Sequence, residues 1–241
     1  MTASIEYVSQ TGSTNADLVA RIADGELVTE GHWLVADRQT AGRGRQGRSW
    51  IDAPGNFMGS TAVRLHDRGP PPATLSFVAA LAVYETVAGS IAKPYELLLK
   101  WPNDVLLGGA KFCGLLLECE AGHAVIGIGV NLAAAPAIAD REVKALADIG
   151  PIPARNAFAE ALAAQMALEV QGWREFGEGA IINRWCAAAH KPGTPLSVHD
   201  GGGGRIVGTF DGLDEHGALR LRLADGTTHI VHAGDVLLEK N

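Results

Sequence analysis

The hydrophobic pattern of the chain changes its period near residue 190, and this change limits the architectures available to it. Residues Arg155 to Cys186 are rich in alanine, with the apolar spacing of a helix. From Thr194 onward short apolar segments alternate with polar residues, as in ALRLRLA. Such alternation is typical of half-buried strands, and several of them at close spacing predict a small antiparallel barrel. We therefore predict two domains in this 241-residue chain, over residues 1–190 and 191–241.

The region up to about Leu132 predicts a domain of the α/β (α+β) class. Two segments have helical patterns: ADLVARIADG, which follows Ser13-Thr14-Asn15, and the apolar LSFVAALAVYETVAGSI. The strand candidates are HWLVA, FMGSTAVRL, LLLKW, NDVLL, AKFCGLLLE and HAVIGIGVN. Gly108-Gly109 lies between NDVLL and AKFCGLLLE and predicts a β-hairpin turn that joins these two strands. The four glycines at 201–204 predict a flexible turn, because a phosphate loop would be followed by a helix.

Composition excludes several classes of function. A formal charge of −7 argues against non-specific nucleic-acid binding, so no DNA partner is expected. The chain shows neither a signal-peptide pattern nor an apolar run of about 18 residues, so we expect a cytoplasmic protein without a membrane span. The three cysteines fit a reducing compartment and are expected in the core. The eight histidines form no HxxxH or HExxH pattern, and no metal-binding residues are predicted.

Within the segment Asp37 to Trp50, DRQTAGRGRQGRSW, Arg43, Arg45 and Arg48 alternate with three glycines and a glutamine in an otherwise acidic chain. Glycine-rich backbone can bring N–H groups close to an anion, and arginine adds fixed charge with forked donors. A polyanionic ligand would relieve the repulsion between the arginines and order the segment. A solvated flexible loop is the alternative, and GxxxxGK[ST] is absent.

A second candidate is Lys100, which ends the apolar run Leu97-Leu98-Leu99 and precedes Trp101-Pro102-Asn103-Asp104. A lysine in this position is expected to be partly desolvated and to need an anionic partner. The alternative is a side chain that extends from the strand end into water. Asn103 and Asp104 fit either a turn after proline or the orientation of a metal-bound phosphate.

Two further segments allow both a structural and a functional interpretation. Ser13-Thr14-Asn15 predicts a helix N-cap, which needs no ligand, although a helix start also offers N–H groups and hydroxyls. Gly127 and Gly129 alternate in a strand, which indicates a close approach to that face by packing or by a ligand.

Taken together, these residues resemble the biotin–protein ligase family. The matching strings are Ser13-Thr14-Asn15, Gln39 to Arg48 with Trp50, Lys100 to Asp104, Lys111 with Gly114, and Gly127 to Asn131. They span most of the first 131 residues, and GRGRxGR with KWPND is a highly specific combination. The resemblance implies a mixed-sheet catalytic domain like that of class II aminoacyl-tRNA synthetases, followed by an SH3-like barrel.

The family activates biotin with MgATP to biotinyl-5′-AMP, then transfers biotin to one lysine of a carboxylase carrier domain. ATP and Mg²⁺ are thus implied, with the biotin carboxyl carrier protein as partner and a monomer or homodimer as the assembly. By resemblance Lys100 and Arg45 are the catalytic residues. The biotin contacts would be Ser13, Thr14, Asn15, Gln39, Arg43, Gly44, Arg45, Lys100 and Gly114. The nucleotide contacts would be Arg48, Trp50, Asn103, Lys111 and Asn131.

The chain departs from the family pattern at two places. Only twelve residues precede Ser13, too few for the DNA-binding module of regulatory members, and Phe112-Cys113 stands where a smaller aliphatic pair is expected. Three different functions also fit parts of the pattern. A lipoate or octanoate ligase or transferase shares the catalytic fold, a non-catalytic module could bind biotin, and a basic loop could bind nucleic acid.

Overall fold

The computed structural model describes residues 4–89, 91, 96–138, 142–199 and 204–239. Three of the four glycines predicted as a flexible turn, 201–203, lie outside the described residues. Within the described ranges no helix has both the length and the apolar character needed to cross a membrane.

The larger part of the chain forms a seven-stranded mixed sheet. Its strands follow the order β1-β2-β3-β7-β6-β5-β4; β1 and β2 are parallel, and the other neighbours are antiparallel. The strands are β1 (Ser4–Val8), β2 (His32–Ala36), β3 (Phe57–Arg64), β4 (Leu97–Lys100), β5 (Asp104–Leu107), β6 (Ala110–Glu120) and β7 (His123–Val130). The mixed sheet confirms the predicted α/β (α+β) class.

Helices cover both faces of this sheet. Helix α1 (Thr14–Ala23) packs Leu18 and Ile22 against one face, where they meet Leu34 of β2. Helices α2 (Leu75–Ala88) and α3 (Arg155–Ala187) pack on the opposite face, which receives Val35. Because successive strand residues point to opposite faces, the run WLVA in β2 supplies apolar side chains to both layers.

The long alanine-rich segment forms helix α3, but it is not one uninterrupted helix. Gly177 has φ 79° and ψ 179°, so the helical path breaks there and resumes afterwards. A positive φ of this kind is strained for any residue with a side chain, which explains a glycine at this position. The sequence period predicted the helical extent and not the break.

The remaining strands form a five-stranded antiparallel sheet in the order β11-β10-β9-β8-β12. They are β8 (Pro195–His199), β9 (Arg205–Leu213), β10 (Leu219–Arg222), β11 (Thr228–Val231) and β12 (Asp235–Leu238). The stretch HIVHAGDVLLE supplies two strands on opposite edges of this sheet. The Trp101 indole Nε1 donates to the carbonyl of Gly217 (3.0 Å), so this sheet contacts the KWPND turn directly. The domain boundary between 190 and 191 stays a prediction.

The cysteines do not all lie in the core, contrary to expectation. Cys113 is buried, and burial raises the pKa of its thiol, whereas Cys186 is half-buried and Cys119 is exposed. Cys119 lies near the end of β6, one residue before the turn that joins β6 to β7 begins. Phe112 and Cys113 are both buried in the main core, so this departure from the family pattern is accommodated by packing.

Candidate active site

One cavity of about 360 Å³ brings together every residue that the sequence analysis named as a site residue. Its floor is the face of β6 and β7, and its walls are the start of α1, the loop 38–51, the Lys100–Asp104 turn and strand β12. The predicted residues on its surface are Ser13, Thr14, Asn15, Gln39, Arg43, Gly44, Arg45, Arg48, Trp50, Lys100, Asn103, Lys111, Gly114 and Asn131.

The start of α1 forms a polar end of the cavity. Ser13 is the N-cap, and its Oγ accepts from the backbone N–H of Ala16 (3.4 Å), as predicted. The backbone N–H and the hydroxyl of Thr14 lie 2.8 and 3.1 Å from Oε1 of Gln39, and the hydroxyl lies 2.8 Å from that of Ser60. Asn15 donates from Nδ2 to Glu118 (2.5 Å), while its buried Oδ1 has no partner among the described residues.

The glycine–arginine loop, residues 40–49, is folded back on itself by its own backbone. Gly44 N–H donates to the carbonyl of Arg48 (2.7 Å), Arg48 N–H to that of Arg45 (3.2 Å), and Trp50 N–H to that of Gly42 (2.9 Å). A single 3₁₀ turn, Arg45–Gly47, lies at the tip. The loop therefore has a defined conformation over the cavity, although few side chains hold it.

The three arginines of this loop differ in their partners. Arg43 pairs with Glu118 (2.9 Å), and Arg48 pairs with Asp235 of the C-terminal sheet (2.8 Å). Arg45 instead donates to the neutral amide oxygen of Asn103 (3.2 Å). Burial lowers the pKa of the Arg45 guanidinium, with Asp235 opposing this effect and Arg48 adding to it. The charge of Arg45 is thus partly desolvated and faces the cavity without a direct carboxylate partner among the described residues.

Glycines let side chains lie close on the cavity floor. Gly114 of β6 and Gly129 of β7 are paired across the sheet, and the indole of Trp50 lies over both of them. A Cβ at Gly129 would be 2.4 Å from Cε2 of Trp50, and one at Gly127 would be 3.0 Å from Oδ1 of Asn15. The alternating glycines of β7 therefore leave room for the side chains of Trp50 and Asn15 to lie against the sheet. The Trp50 Nε1–H is buried and has no acceptor among the described residues.

The opposite end of the cavity carries two lysines and one carboxylate. Lys111 Nζ lies 2.6 Å from Oδ1 of Asp104, and Lys100 Nζ lies 3.8 Å from Oδ2 of the same residue. Each of these side chains is less than one-fifth exposed. The predicted desolvated lysine with an anionic partner is confirmed, and two ammonium groups share one carboxylate. Two cationic side chains and one carboxylate therefore line this end of the cavity.

Three residues with contacts at the cavity were not predicted as site residues from the sequence. Glu118 and Asp235 pair with Arg43 and Arg48 across 75 and 187 residues, and no local pattern marks such long-range pairs. Asp104 was noted as a turn residue, and its role as the partner of two lysines depends on the β5–β6 pairing. Within the described ranges no cluster of three or more histidine, cysteine or acidic side chains is arranged to hold a metal ion.

Comparisons with known proteins agree with this geometry. Residues 11–131 match the biotin/lipoate A/B protein ligase family, and residues 197–238 match the biotin protein ligase C terminal domain. A biotin–[acetyl-CoA-carboxylase] ligase from Mycobacterium tuberculosis is 40% identical over 238 residues, covering 97% of this chain and 88% of that protein. The bifunctional ligase/repressor of Escherichia coli is 31% identical, covering 94% of this chain and 71% of that protein.

Solved structures share the fold. The biotin protein ligase from Aquifex aeolicus in complex with biotin and ATP superposes with a TM-score of 0.83 at 24% identity, over 99% of both chains. The Leishmania major enzyme in complex with biotinyl-5-AMP gives a TM-score of 0.67, at 24% identity, over 95% of this chain and 99% of that one. The chain therefore belongs to the biotin–protein ligase group of the biotin/lipoate A/B protein ligase family.

Proposed function

We propose that this chain joins biotin to ATP as biotinyl-5′-AMP, releasing pyrophosphate, and then transfers biotin to a lysine of a carboxylase carrier domain. The proposal depends on the distribution of neutral and charged groups within one cavity. Its volume, about 360 Å³, is typical of small-molecule sites. Neutral hydrogen-bonding groups gather at the start of α1, and cationic groups gather at the Lys100–Asp104 turn. A ligand with a neutral polar head and a carboxylate tail matches this order.

The first step requires two anions to approach each other. A biotin carboxylate oxygen attacks the α-phosphorus of ATP, and the bond from that phosphorus to the pyrophosphate oxygen breaks. Lys100, Lys111 and Arg45 line the cavity where charge builds on the phosphoryl oxygens. Because they are fixed before the reaction, they stabilise that charge without reorganisation, and one such donor is typically worth about 3 kcal/mol.

The second step needs no nucleophile from this chain. The carrier lysine nitrogen attacks the acyl carbon of the mixed anhydride, AMP leaves, and the nitrogen loses a proton. Water would hydrolyse the same anhydride, so the intermediate has to be shielded. The loop 40–49 covers the cavity through its own hydrogen bonds and two ion pairs, which supports a role in retaining the adenylate.

The residue roles proposed here rest on the family resemblance, and they are supported by the fact that all of these residues line one cavity. We assign Ser13, Thr14, Asn15 and Gln39 to the biotin head, and Arg43, Gly44 and Gly114 to its cover and floor. We assign Lys100 and Arg45 to the carboxylate and α-phosphate, and Arg48, Trp50, Asn103, Lys111 and Asn131 to the nucleotide. Because the Trp50 indole lies over Gly114, these two residues would border both substrates. Mg²⁺ would enter with ATP as the MgATP substrate, since Mg²⁺ in such sites is held largely by the phosphates of the substrate.

A lipoate or octanoate ligase is the nearest alternative, since the family includes ligases for biotin and for lipoate. The polar end of the cavity favours biotin, because the ureido group of biotin can form hydrogen bonds there, whereas a dithiolane ring or an alkyl chain cannot. Thr14, Asn15, Gln39 and Ser60 together supply hydroxyl and amide groups there. We place the reaction in the cytoplasm, because the three cysteines are free thiols.

The test is ATP–pyrophosphate exchange with one acid supplied at a time: biotin, lipoate or octanoate. Exchange with biotin alone is expected. Exchange only with lipoate or octanoate would reassign the substrate. Biotin binding without exchange would instead indicate a non-catalytic binding module.

A further inference from the structure

Glu118 on β6 connects two separate walls of the cavity. Its Oε2 accepts a hydrogen bond from Nδ2 of Asn15 at 2.5 Å, and its Oε1 accepts one from Nη2 of Arg43 at 2.9 Å. The carboxylate thus links the start of α1 to the glycine–arginine loop. The proposed reaction gives it no task, so its effect has to pass through one of these partners.

The carboxylate fixes which way the Asn15 amide faces. An ionised carboxylate only accepts hydrogen bonds, so Asn15 has to present its NH₂ group to Glu118 and its oxygen to the other side. That oxygen, Oδ1, is buried and has no hydrogen-bond partner among the described residues, and Asn15 as a whole is 3% exposed. A buried acceptor without a donor costs free energy that a ligand N–H would offset.

The space beside this oxygen belongs to the cavity floor. Gly127 lines the cavity, and the position that a Cβ would take there lies 3.0 Å from Oδ1 of Asn15. Because Gly127 has no side chain, a ligand lying across it would approach Oδ1 closely, and a small movement of the buried Asn15 amide would bring the two within hydrogen-bond distance. Because Oδ1 is a hydrogen-bond acceptor, the ligand group that faces it has to be a hydrogen-bond donor.

We propose that Glu118 is a positioning residue for acid selection: it holds Asn15 so that Oδ1 receives an N–H of the biotin ureido ring. This inference rests on the proposed function and extends it to a residue that touches no substrate. A lipoate ring or an octanoate chain has no N–H, so either would leave this oxygen unpaired. Sites built around such a hydrogen bond discriminate strongly against ligands that lack it.

The test begins with Glu118→Gln, which keeps the side-chain length and removes the charge. Glutamine can donate as well as accept, so the Asn15 amide is no longer held in one orientation. In pyrophosphate exchange we expect the KM for biotin to rise by about tenfold or more, with kcat at saturating biotin and KM for ATP within about twofold. A biotin KM within about twofold of wild type, or equal rises in both KM values, would overturn the inference.

Glu120→Gln is the matched control. Glu120 is two residues further along β6 and on the same face, but among the described residues it makes no hydrogen bond or ion pair to Asn15 or Arg43, the two partners of Glu118. The same loss of charge there is expected to leave the biotin KM unchanged. A rise equal to that of Glu118→Gln would show a general effect of charge and contradict the inference.

A double-mutant cycle separates the route through Asn15 from the route through Arg43. Biotin affinity without ATP is measured by calorimetry for Asn15→Ala, Glu118→Gln and the double variant. If Glu118 acts through Asn15, the double variant binds biotin no more weakly than Asn15→Ala alone. Losses that multiply would show an independent action and refute the inference. If Glu118→Gln does not fold, Glu118→Asp, which withdraws the carboxylate by one methylene, takes its place in the same cycle.

Pyrophosphate exchange by the wild-type protein distinguishes a failure of the proposed function from a failure of the proposed role of Glu118. If the wild-type protein exchanges pyrophosphate with biotin and the cycle is multiplicative, the function stands and the role of Glu118 does not. If the wild-type protein shows no exchange, the proposed function itself is wrong.

Discussion

Gly129→Ala tests whether the indole of Trp50 shapes the cavity floor. The new Cβ would lie 2.4 Å from Cε2 and 2.5 Å from Cζ2 of Trp50. Carbon atoms in contact normally stay about 3.5–4.0 Å apart, so the indole has to retreat by about 1 Å. Gly114 lies beneath the same ring on the neighbouring strand, so the retreat is away from the sheet and into the cavity.

The size of the effect follows from this overlap. Overpacking of this kind destabilises a protein by about 1–3 kcal/mol. Replacing glycine by alanine also stabilises it by about 0.4–1 kcal/mol, because the unfolded chain loses conformational entropy. We therefore expect the free energy of unfolding to fall by about 1–2 kcal/mol, measured by urea denaturation. Because the ring moves into the nucleotide side of the cavity, KM for ATP should rise as well.

Two comparisons make this prediction sharp. At Gly179 of α3 a Cβ would meet no atom within 4 Å, so Gly179→Ala should leave stability unchanged or raise it. In a Trp50→Ala background, Gly129→Ala should cost less than about 0.5 kcal/mol, because the clashing ring is gone. An unchanged unfolding free energy for Gly129→Ala, or an equal loss in both backgrounds, would refute the packing argument.

The remaining predictions concern single charges. Lys100→Ala should lower pyrophosphate exchange by about 100-fold or more, with the circular dichroism spectrum unchanged. Asp235→Asn removes the partner of Arg48; since both side chains are more than one-third exposed, ATP affinity should fall by no more than about fivefold, measured by calorimetry. Burial, with the nearby Lys100, lowers the pKa of His190, so the unfolded chain binds more protons below about pH 6.5. The free energy of unfolding should therefore fall as the pH drops from about 7.5 to about 5.5, and His190→Gln should weaken that dependence.

Each of these has a contradicting result. Near-normal exchange by Lys100→Ala would remove Lys100 from the chemistry. Tighter ATP binding by Asp235→Asn would show that the C-terminal sheet restrains the loop rather than supports it. An identical pH dependence of unfolding in wild type and His190→Gln would mean that His190 has the same pKa in both states.

Local patterns predicted most of the strands and helices because each depends on neighbours in the sequence. The alternation of HAVIGIGV fixed which side chains of β7 share a face, and Ser13 marked the start of α1 before any tertiary contact was considered. These are short-range effects of backbone geometry and capping. The site residues, in contrast, were grouped by resemblance to the biotin–protein ligase family, through strings such as GRGRxGR and KWPND, and the structure places all of them on one cavity.

Features that depend on distant partners could not be predicted in this way. Asp235 meets Arg48 only because β12 lies at the edge of the second sheet, next to β8. Glu118 became a candidate only once α1 and the loop were both placed against β6. Cys119 was expected in the core but is exposed, and the alternation along a strand does not indicate which of its residues the rest of the fold will cover. The break at Gly177 was likewise not predicted, because the apolar period continues through it.

The central claim is that preplaced cations in a covered cavity let two mutually repelling substrates react. Its most direct measurement is a single-turnover reaction of the purified protein with biotin, Mg²⁺ and ATP labelled on the α-phosphate. We predict one labelled biotinyl-5′-AMP per active protein, retained on the protein until a carrier is added. Formation of no biotinyl adenylate, with biotin and MgATP both bound, would contradict the claim.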